Sequence, residues 1–274
     1  MTDVAIIIVS YNTRADLEAC LASLTHHPPV TPHEIVVVDN ASSDGSPAAV
    51  RTRWPNITVL DTGDNLGFAR ATNLGIRASS SQLLLLLNSD TLPPPGAIDR
   101  LVRILLARAN VAIVGPRLVD GHGALELSFG SMISPFAELW QKCLVRGHAS
   151  GWPLLARLVE RRAHTDRLVD WVSGACLLVR RADAEAAGLL DERFFLYGED
   201  VDFCAAVRGL GRHVLFTPDA EIVHHRGRSA TRAQARAAAA YRRSHLAFYR
   251  KHHPLWYPVL LGYLGLRGKL PFGE

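Results

Sequence analysis

Short apolar runs recur along the N-terminal part of this chain, at Val4 to Val9, Glu34 to Val38, Ile57 to Leu60 and Gln82 to Leu87, and within each the apolar residues are continuous rather than alternating. A strand that is apolar at both parities is covered on both faces, which is the pattern of a parallel sheet between helical layers. The segments between the runs, Ala15 to Leu24, Pro47 to Trp54 and Gly67 to Ala78, carry helical spacing, so the order reads βαβαβαβ. Right-handed crossovers then give an α/β fold with a Rossmann-like open, mostly parallel sheet and helices on both faces. Ligands are expected at the carboxyl ends of its strands.

Beyond Pro93-Pro94-Pro95-Gly96 the sequence predicts a helix at Ala97 to Ala107 and a strand at Val111 to Val114. The stretch from Asp120 to Asp166, rich in Gly, Pro, Trp and His, reads as substrate-shaping loops with one or two short helices. Regular structure is expected again at Trp171 to Val179, with helices at Arg181 to Ala187 and from Glu199, a short strand at Val214 to Phe216 and a long helix at Ala233 to His252. With no repeat or low-complexity linker, the simplest division is a domain over 1–230 and a helical, basic and aromatic extension over 231–274.

At 48% hydrophobic and 20% charged residues the chain has enough apolar material for a packed core, which excludes disorder and fibrous classes. No uninterrupted apolar run approaches the roughly 18 to 20 residues of a spanning helix, and no basic segment precedes the first strand, so the chain reads as non-spanning and without a secretory signal. Cys20, Cys143, Cys176 and Cys204 are scattered without a CxxC pair; this suits a reducing, cytoplasmic setting and argues against a thiolate zinc site. Charge is uneven: residues 203–274 hold 12 Lys/Arg against Asp219, Glu221 and Glu274. A basic end on an acidic body points to anionic substrates or an anionic membrane surface. Nucleic acid is not expected, because no basic and aromatic residues interleave along a strand; the excess of Arg over Lys also fits a GC-rich genome.

Polar clusters come directly after the predicted strands. Asp39 succeeds Ile35 to Val38, and Asn88-Ser89-Asp90 succeeds Leu83 to Leu87, so two strands deliver carboxylates to one rim. One such Asp is ordinarily a cap or turn residue; recurrence at successive strand ends is what favours a site.

Five segments, Val9-Ser10-Tyr11-Asn12, Val38-Asp39-Asn40-Ala41-Ser42-Ser43-Asp44-Gly45-Ser46, Asn65-Leu66-Gly67-Phe68 with Asn73-Leu74-Gly75, Leu87-Asn88-Ser89-Asp90-Thr91, and Gly198-Glu199-Asp200-Val201-Asp202, resemble in order and spacing the inverting family 2 glycosyltransferases of GT-A fold, in particular their rhamnosyltransferase branch. The resemblance spans about residues 4–230. It implies that Asp39 pairs with the nucleotide base, in a pocket lined by Ser10, Tyr11 and Asn12. Asn65 and Gly67 would form a tight turn beside the nucleotide, with amides from the helix that Gly67 opens; Arg70 is either a phosphate contact or an exposed helix residue. Asn88-Ser89-Asp90 stands where the family has an Asp-any-Asp metal motif, and Asn at its first position leaves Asp90 as the strong ligand for Mg²⁺ or Mn²⁺. His224 resembles the downstream family His that reaches the metal or the diphosphate, and Arg226 and Arg228 stand near enough in sequence to touch the same phosphates.

Inverting transfer needs one base for the acceptor hydroxyl. The resemblance assigns it to Asp200, with Glu199 as alternative and Asp202 as a structural acid; three acids at a helix start also complement its dipole. Trp171 and Gly174 resemble the segment between donor and acceptor pockets. The implied partners are a dTDP or UDP sugar, with dTDP-L-rhamnose first and UDP-hexose or UDP-GlcNAc second, and a glycan or lipid-linked acceptor in cell-wall or polysaccharide synthesis. A nucleotidyltransferase would start with a Gly-rich basic loop, and none comes after Val4 to Val9; a non-catalytic sugar-nucleotide binder would not need Asp39, Asp90 and Asp200 together. For the tail, with Arg243, Arg250, Lys251, Trp256, Val259 and Tyr263 among its residues, two uses stand open. It can lie on the inner face of a membrane near a lipid-linked acceptor, or pack on the domain or in a homodimer.

Overall fold

The structure, a computed structural model, describes residues 3–225 and 234–271. The N-terminal part runs β1 (Val4–Ser10), α1 (Arg14–His26), β2 (His33–Asp39), α2 (Ser46–Arg53), β3 (Thr58–Asp61), α3 (Phe68–Arg77), β4 (Leu83–Asn88), β5 (Thr91–Leu92), α4 (Ala97–Leu106) and β6 (Val111–Val119). Next come β7 (Leu125–Glu126), β8 (Phe129–Gly130), α5 (Pro135–Ala149), α6 (Pro153–Ala163), β9 (Arg167–Val169), β10 (Trp171–Val172) and β11 (Cys176–Arg180). The chain then forms α7 (Arg181–Ala186), α8 (Glu199–Gly209), β12 (His213–His224), α9 (Gln234–His252) and α10 (Tyr257–Leu266).

The continuous apolar runs have a direct cause. Ile6, Ile8, Val37, Leu85 and Leu87 face a layer that includes Leu17 and Leu21 of α1 and Leu101 of α4. Ile7, Val36, Val38, Leu84 and Leu86 face the other way, toward Ala71 and Ile76 of α3 and Phe203 and Val207 of α8. Because side chains alternate across a strand, two covered faces require both parities to be apolar. Among the described residues the sheet has ten strands in the order β3-β2-β1-β4-β11-β6-β12-β5, with β7 on β6 and β9 on β12. Strands β1 to β4 pair in parallel, as do β6 and β12, while β11 lies antiparallel between β4 and β6. This is the expected mostly parallel open sheet.

Two local expectations are corrected and a third is refined. Residues 120–166 are not mainly loops: they hold helices of 15 and 11 residues, each with Pro in its first turn, where a missing N–H costs nothing. The regular structure expected at Trp171 to Val179 is present but divided between two sheets, since β10 pairs with β8 in a separate two-stranded sheet and β11 belongs to the main one. Strand β12 is 12 residues long, running through Pro218 at an irregularity in its pairing with β6, the position at which a strand tolerates proline. Among the described residues no helix is long and apolar enough to cross a membrane.

Helix α9 packs on the domain: Phe248 and Tyr249 are buried against Phe194 and Val201, and buried Asp202 binds Lys251 Nζ at 2.8 Å and His252 Nε2 at 2.6 Å. From α5, Glu138 accepts from Tyr249 Oη and pairs with His245 Nε2, both at 2.7 Å. Helix α10 differs, with Leu255 just before it 89% exposed and Leu266 at its end 93% exposed. Packing therefore accounts for α9 and leaves a face of α10 uncovered.

Burial opposes the charge on Glu138, but the bonds from His245, Tyr249 and Lys142 outweigh it and hold the carboxyl at about 2, below its ordinary 4.5. A depressed folded-state value stabilises above the unfolded value and is lost as pH falls through the folded one. Glu138→Gln is expected to destabilise the protein by roughly 1–3 kcal/mol at neutral pH, with the difference from wild type narrowing between pH 4.5 and about 2. Urea melts across that range check it, and a difference that stays constant with pH would refute the assignment.

Candidate active site

Strand register assembles the site. Ser10 at the end of β1 lies opposite Asp39 of β2, and Val9 lies opposite Asn88 of β4. From the opposite direction β11 enters beside β4, and the Asn88 amide donates to the Ala175 carbonyl at 2.9 Å. Strand β12 ends with His224 opposite Thr91 of β5, and the His225 amide donates to the Asp90 carbonyl at 2.8 Å. Among the described residues four non-glycine residues have positive φ, and three of them, Asn12 (54°), Ala41 (66°) and Tyr197 (69°), fall in or beside the motifs read from sequence. Such backbone costs on the order of 1–3 kcal/mol and persists only where its surroundings enforce it, typically at functional sites.

At the nucleotide end Asp39 is buried; its Oδ2 accepts from the Ser42 amide at 2.9 Å, while Oδ1 has no hydrogen-bond partner. A buried carboxylate oxygen without a donor is costly unless a ligand supplies one. Asn12 is spent on the chain: its Oδ1 accepts from the Ser43 amide at 2.8 Å and its own amide donates to Ser42 Oγ at 2.9 Å, tying the β1 and β2 loops together. Tyr11 is exposed. Ser10 is fully buried and hydrogen-bonds Thr13 Oγ1, which reaches Ser89 Oγ at 3.0 Å. Ser10 and Ser89 therefore brace the rim from beneath.

The expected amides at Gly67 are occupied. The Gly67 amide donates to Asn65 Oδ1, the Leu66 amide to Asn40 Oδ1 and the Phe68 amide to the Phe195 carbonyl at 2.7 Å. Gly67 has φ of 80°, and a Cβ there would stand 2.5 Å from the Phe195 oxygen. The turn is thus a clamp on the segment leading into α8, which is why only glycine fits. Arg70 is exposed, with Nε 3.8 Å from Glu192. Arg226 and Arg228 lie outside the described residues.

Asp90 and His224 come together as the sequence leads one to expect, with His224 Nε2 3.3 Å from Asp90 Oδ1. A residue that sequence reasoning missed completes the arrangement: Glu126 Oε2 lies 2.8 Å from His224 Nδ1. Burial disfavours an imidazolium, but the two carboxylates outweigh it and push His224 up to about 9. Glu126 and His224 line an open cavity of about 410 Å³ that extends to Asp120 and His122. Nothing in Leu125-Glu126-Leu127 marks this acid locally; its role appears only through the pairing of β7 with β6.

At the start of α8, Asp200 is half-buried, with Oδ2 accepting from the Gly174 amide at 2.9 Å and Oδ1 from the Val201 amide at 2.8 Å. A Cβ on Gly174 would come within 3.2 Å of Asp200 Cβ, so glycine lets the amide reach the carboxylate. Burial raises the Asp200 carboxyl against these bonds. Glu199 is more deeply buried, its Oε2 unpartnered, and burial together with the Asp200 charge raises it well above the ordinary range. The pair thus divides into a half-buried carboxylate held by two amides and a more deeply buried neighbour whose carboxyl is raised further, the direction that two close acids impose on each other. Trp171 is fixed by its indole N–H, which donates to the Ser131 carbonyl at 2.8 Å.

An open α/β sheet with buried Asp39, the Asp90–His224 pair and the Glu199–Asp200 carboxylate pair on one rim is the architecture of a GT-A glycosyltransferase. The chain belongs to glycosyl transferase family 2, whose sequence profile matches residues 5–145. It is 34% identical, over 98% of its length and 91% of the relative's, to the N-acetylglucosaminyl-diphospho-decaprenol L-rhamnosyltransferase of Mycobacterium tuberculosis. Among solved structures, the mannosyltransferase of Pyrobaculum calidifontis in complex with GDP-Man and Mn²⁺ has a TM-score of 0.60 at 20% identity, covering 95% of this chain and 70% of that one. GalNAc-T7 with UDP, GalNAc and Mn²⁺ also scores 0.60, at 15% identity, covering 82% and 44%.

Asp200→Asn is expected to cut turnover by about 10² to 10⁴ with donor affinity within a few-fold, whereas Glu199→Gln, which keeps the shape of the buried side chain, leaves most activity. The pH profile of wild-type kcat/KM should fall on the acid side with an apparent pKa above 3.8, the direction in which Asp200 is raised. Near wild-type turnover in Asp200→Asn would transfer the role to Glu199.

Proposed function

We propose that the protein is an inverting rhamnosyltransferase that moves L-rhamnose from dTDP-rhamnose to a hydroxyl of a lipid-linked glycan. The observation that carries the reaction class is Asp200, a half-buried carboxylate raised by burial, oriented by the Gly174 amide and placed beside the more deeply buried Glu199. It takes the acceptor proton as the hydroxyl attacks the sugar carbon from the face opposite the leaving diphosphate. The choice of sugar and of a lipid-linked acceptor is supported by the 34% identical mycobacterial relative. The exposed apolar face of α10 supports a peripheral contact with the membrane that carries such an acceptor.

At the other end of the donor, Asp39 Oδ1 is the acceptor for the ring N–H of thymine or uracil, which is the donor that this buried oxygen lacks. A base without that N–H leaves the oxygen unpaired and is discriminated against. The residues at the β4 end suit a divalent ion, Mg²⁺ or Mn²⁺. Asp90 is a hard oxygen ligand, and His224 can join it once its Nε2 proton is released. Among the described residues no group of three or more His, Cys, Asp or Glu could hold a metal alone, which fits an ion completed by diphosphate oxygens. When bound, the ion would offset charge on the leaving nucleoside diphosphate.

Thermal-shift and transfer assays with dTDP-rhamnose, UDP-glucose and UDP-GlcNAc test the donor: selective stabilisation by dTDP-rhamnose is expected, and preference for a UDP sugar would overturn the rhamnose assignment. Asp39→Asn should weaken thymine and uracil donors by about 1–3 kcal/mol. EDTA should abolish transfer and Mn²⁺ restore it, with Asp90→Ala losing the metal response; an EDTA-insensitive wild type would remove the metal role.

A further inference from the structure

A second cavity, of about 540 Å³, opens between the loop before α8 and the two C-terminal helices, walled by Arg193, Arg243, Arg250 and Lys251 together with apolar groups that include Leu246 and Tyr257. No carboxylate lines it among the described residues. Arg193 and Lys251 share Asp191, at 2.5 and 2.9 Å, and Lys251 also holds Asp202. Arg243 and Arg250 are exposed and form no ion pair among the described residues. Two cations without counter-charge above an apolar floor complement a ligand with phosphate at one end and hydrocarbon at the other. A free nucleotide or sugar would leave the floor unused.

The cavity also continues into an apolar surface. Tyr257 opens α10, a ten-residue helix without a charged side chain, on which Val259 and Tyr263 are exposed along with the flanking Leu255 and Leu266. The Trp256 ring meets Phe136 of α5 edge-on at 6.2 Å, which carries the apolar surface on to Leu139 and Trp140. Contiguous exposed apolar groups with basic residues at their margin are the makeup of a helix lying in a membrane interface. Lys251 and the base are joined through one helix turn, for Asp202 faces Lys251 and Asp200 faces Gly174.

We propose that this cavity binds the phosphate of an isoprenoid-type lipid diphosphate, whose tail leaves along α10 into the membrane. The proposal deepens the lipid-linked acceptor reading and rests on it. Binding to the full chain can be measured with geranylgeranyl diphosphate, inorganic pyrophosphate and neutral geranylgeraniol. Wild type should bind the lipid diphosphate far more tightly than either of the others. Arg243→Ala/Arg250→Ala should weaken it about thirtyfold, roughly fivefold per cation, with the thermal midpoint and dTDP-rhamnose affinity unchanged. Equal affinity in the variant overturns the proposal; so does pyrophosphate binding as tightly as the lipid, which makes this a free-phosphate site. Displacement of the probe by phosphatidylcholine vesicles containing phosphatidylglycerol as effectively as by geranylgeranyl diphosphate would assign the site to bulk anionic lipid and also overturn it. Donor hydrolysis without acceptor, on the same samples, reads the transferase assignment separately, since its absence in wild type would sink that assignment while the binding ratios still decide the lipid site.

Discussion

The rim hangs from β1. Its parallel registers with β2 and β4 set Ser10 against Asp39 and Val9 against Asn88, so Asp39 and the Asn88-Ser89-Asp90 turn are placed by backbone pairing before any side chain chooses a rotamer. A slip of one residue would turn Ile6 and Ile8 from the α1 layer to the α3 layer and move Asp39 off the rim. The buried chain of Ser10, Thr13 and Ser89 hydroxyls ties the two strand ends below the site. Removing one of these hydroxyls would leave a buried partner unpaired, so a network without catalytic chemistry still constrains where the chemistry sits.

Two carboxylate pairs on this rim are tuned in opposite ways. Asp90 and Glu126 are bridged by one imidazole that they hold protonated, which offsets the repulsion of two buried acids. Glu199 and Asp200 have no cation between them, and both are raised. The first arrangement pairs each acid with a shared cation, and the second leaves both carboxyls raised, the deeper Glu199 the more. The difference arises from which strand or helix end each acid occupies: Glu126 and His224 sit on neighbours of β6, where a histidine can insert, whereas Glu199 and Asp200 are adjacent on one helix turn beside the apolar wall of Phe194.

How much of this is legible in the sequence depends on whether the cause is local. Runs such as Ile6-Ile7-Ile8 and Leu83 to Leu87 report double-sided burial directly, and the acids after them report the rim. The helices α5 and α6 read as loops because Gly, Pro, Trp and His are scattered through residues 120–166, while the helix-starting use of Pro135 and Pro153 depends on the residues C-terminal to each proline. Strand β12 hides behind Pro218 and its exposed polar positions. Glu126 cannot be found at all from its neighbours, since its partner is 98 residues away. Gly67 is legible as a tight turn but not in its purpose, because the Phe195 carbonyl that consumes the Phe68 amide arrives from a distant segment.

That same contact shows why the donor rim and the C-terminal helices are mechanically one unit. Phe195 is clamped by the Gly67 turn, Leu196 is bound through its carbonyl by Ser244 Oγ of α9 at 2.8 Å, and Tyr197 and Gly198 take left-handed backbone to begin α8. Four residues thus span the interval between a nucleotide-side turn and a tail helix, with Asp200 two residues beyond. Asp202 then anchors the other face of α8 to Lys251 and His252. The position of Asp200 is set by α9 as much as by the sheet, so a helix with no residue of its own on the rim still bears on where this carboxylate stands.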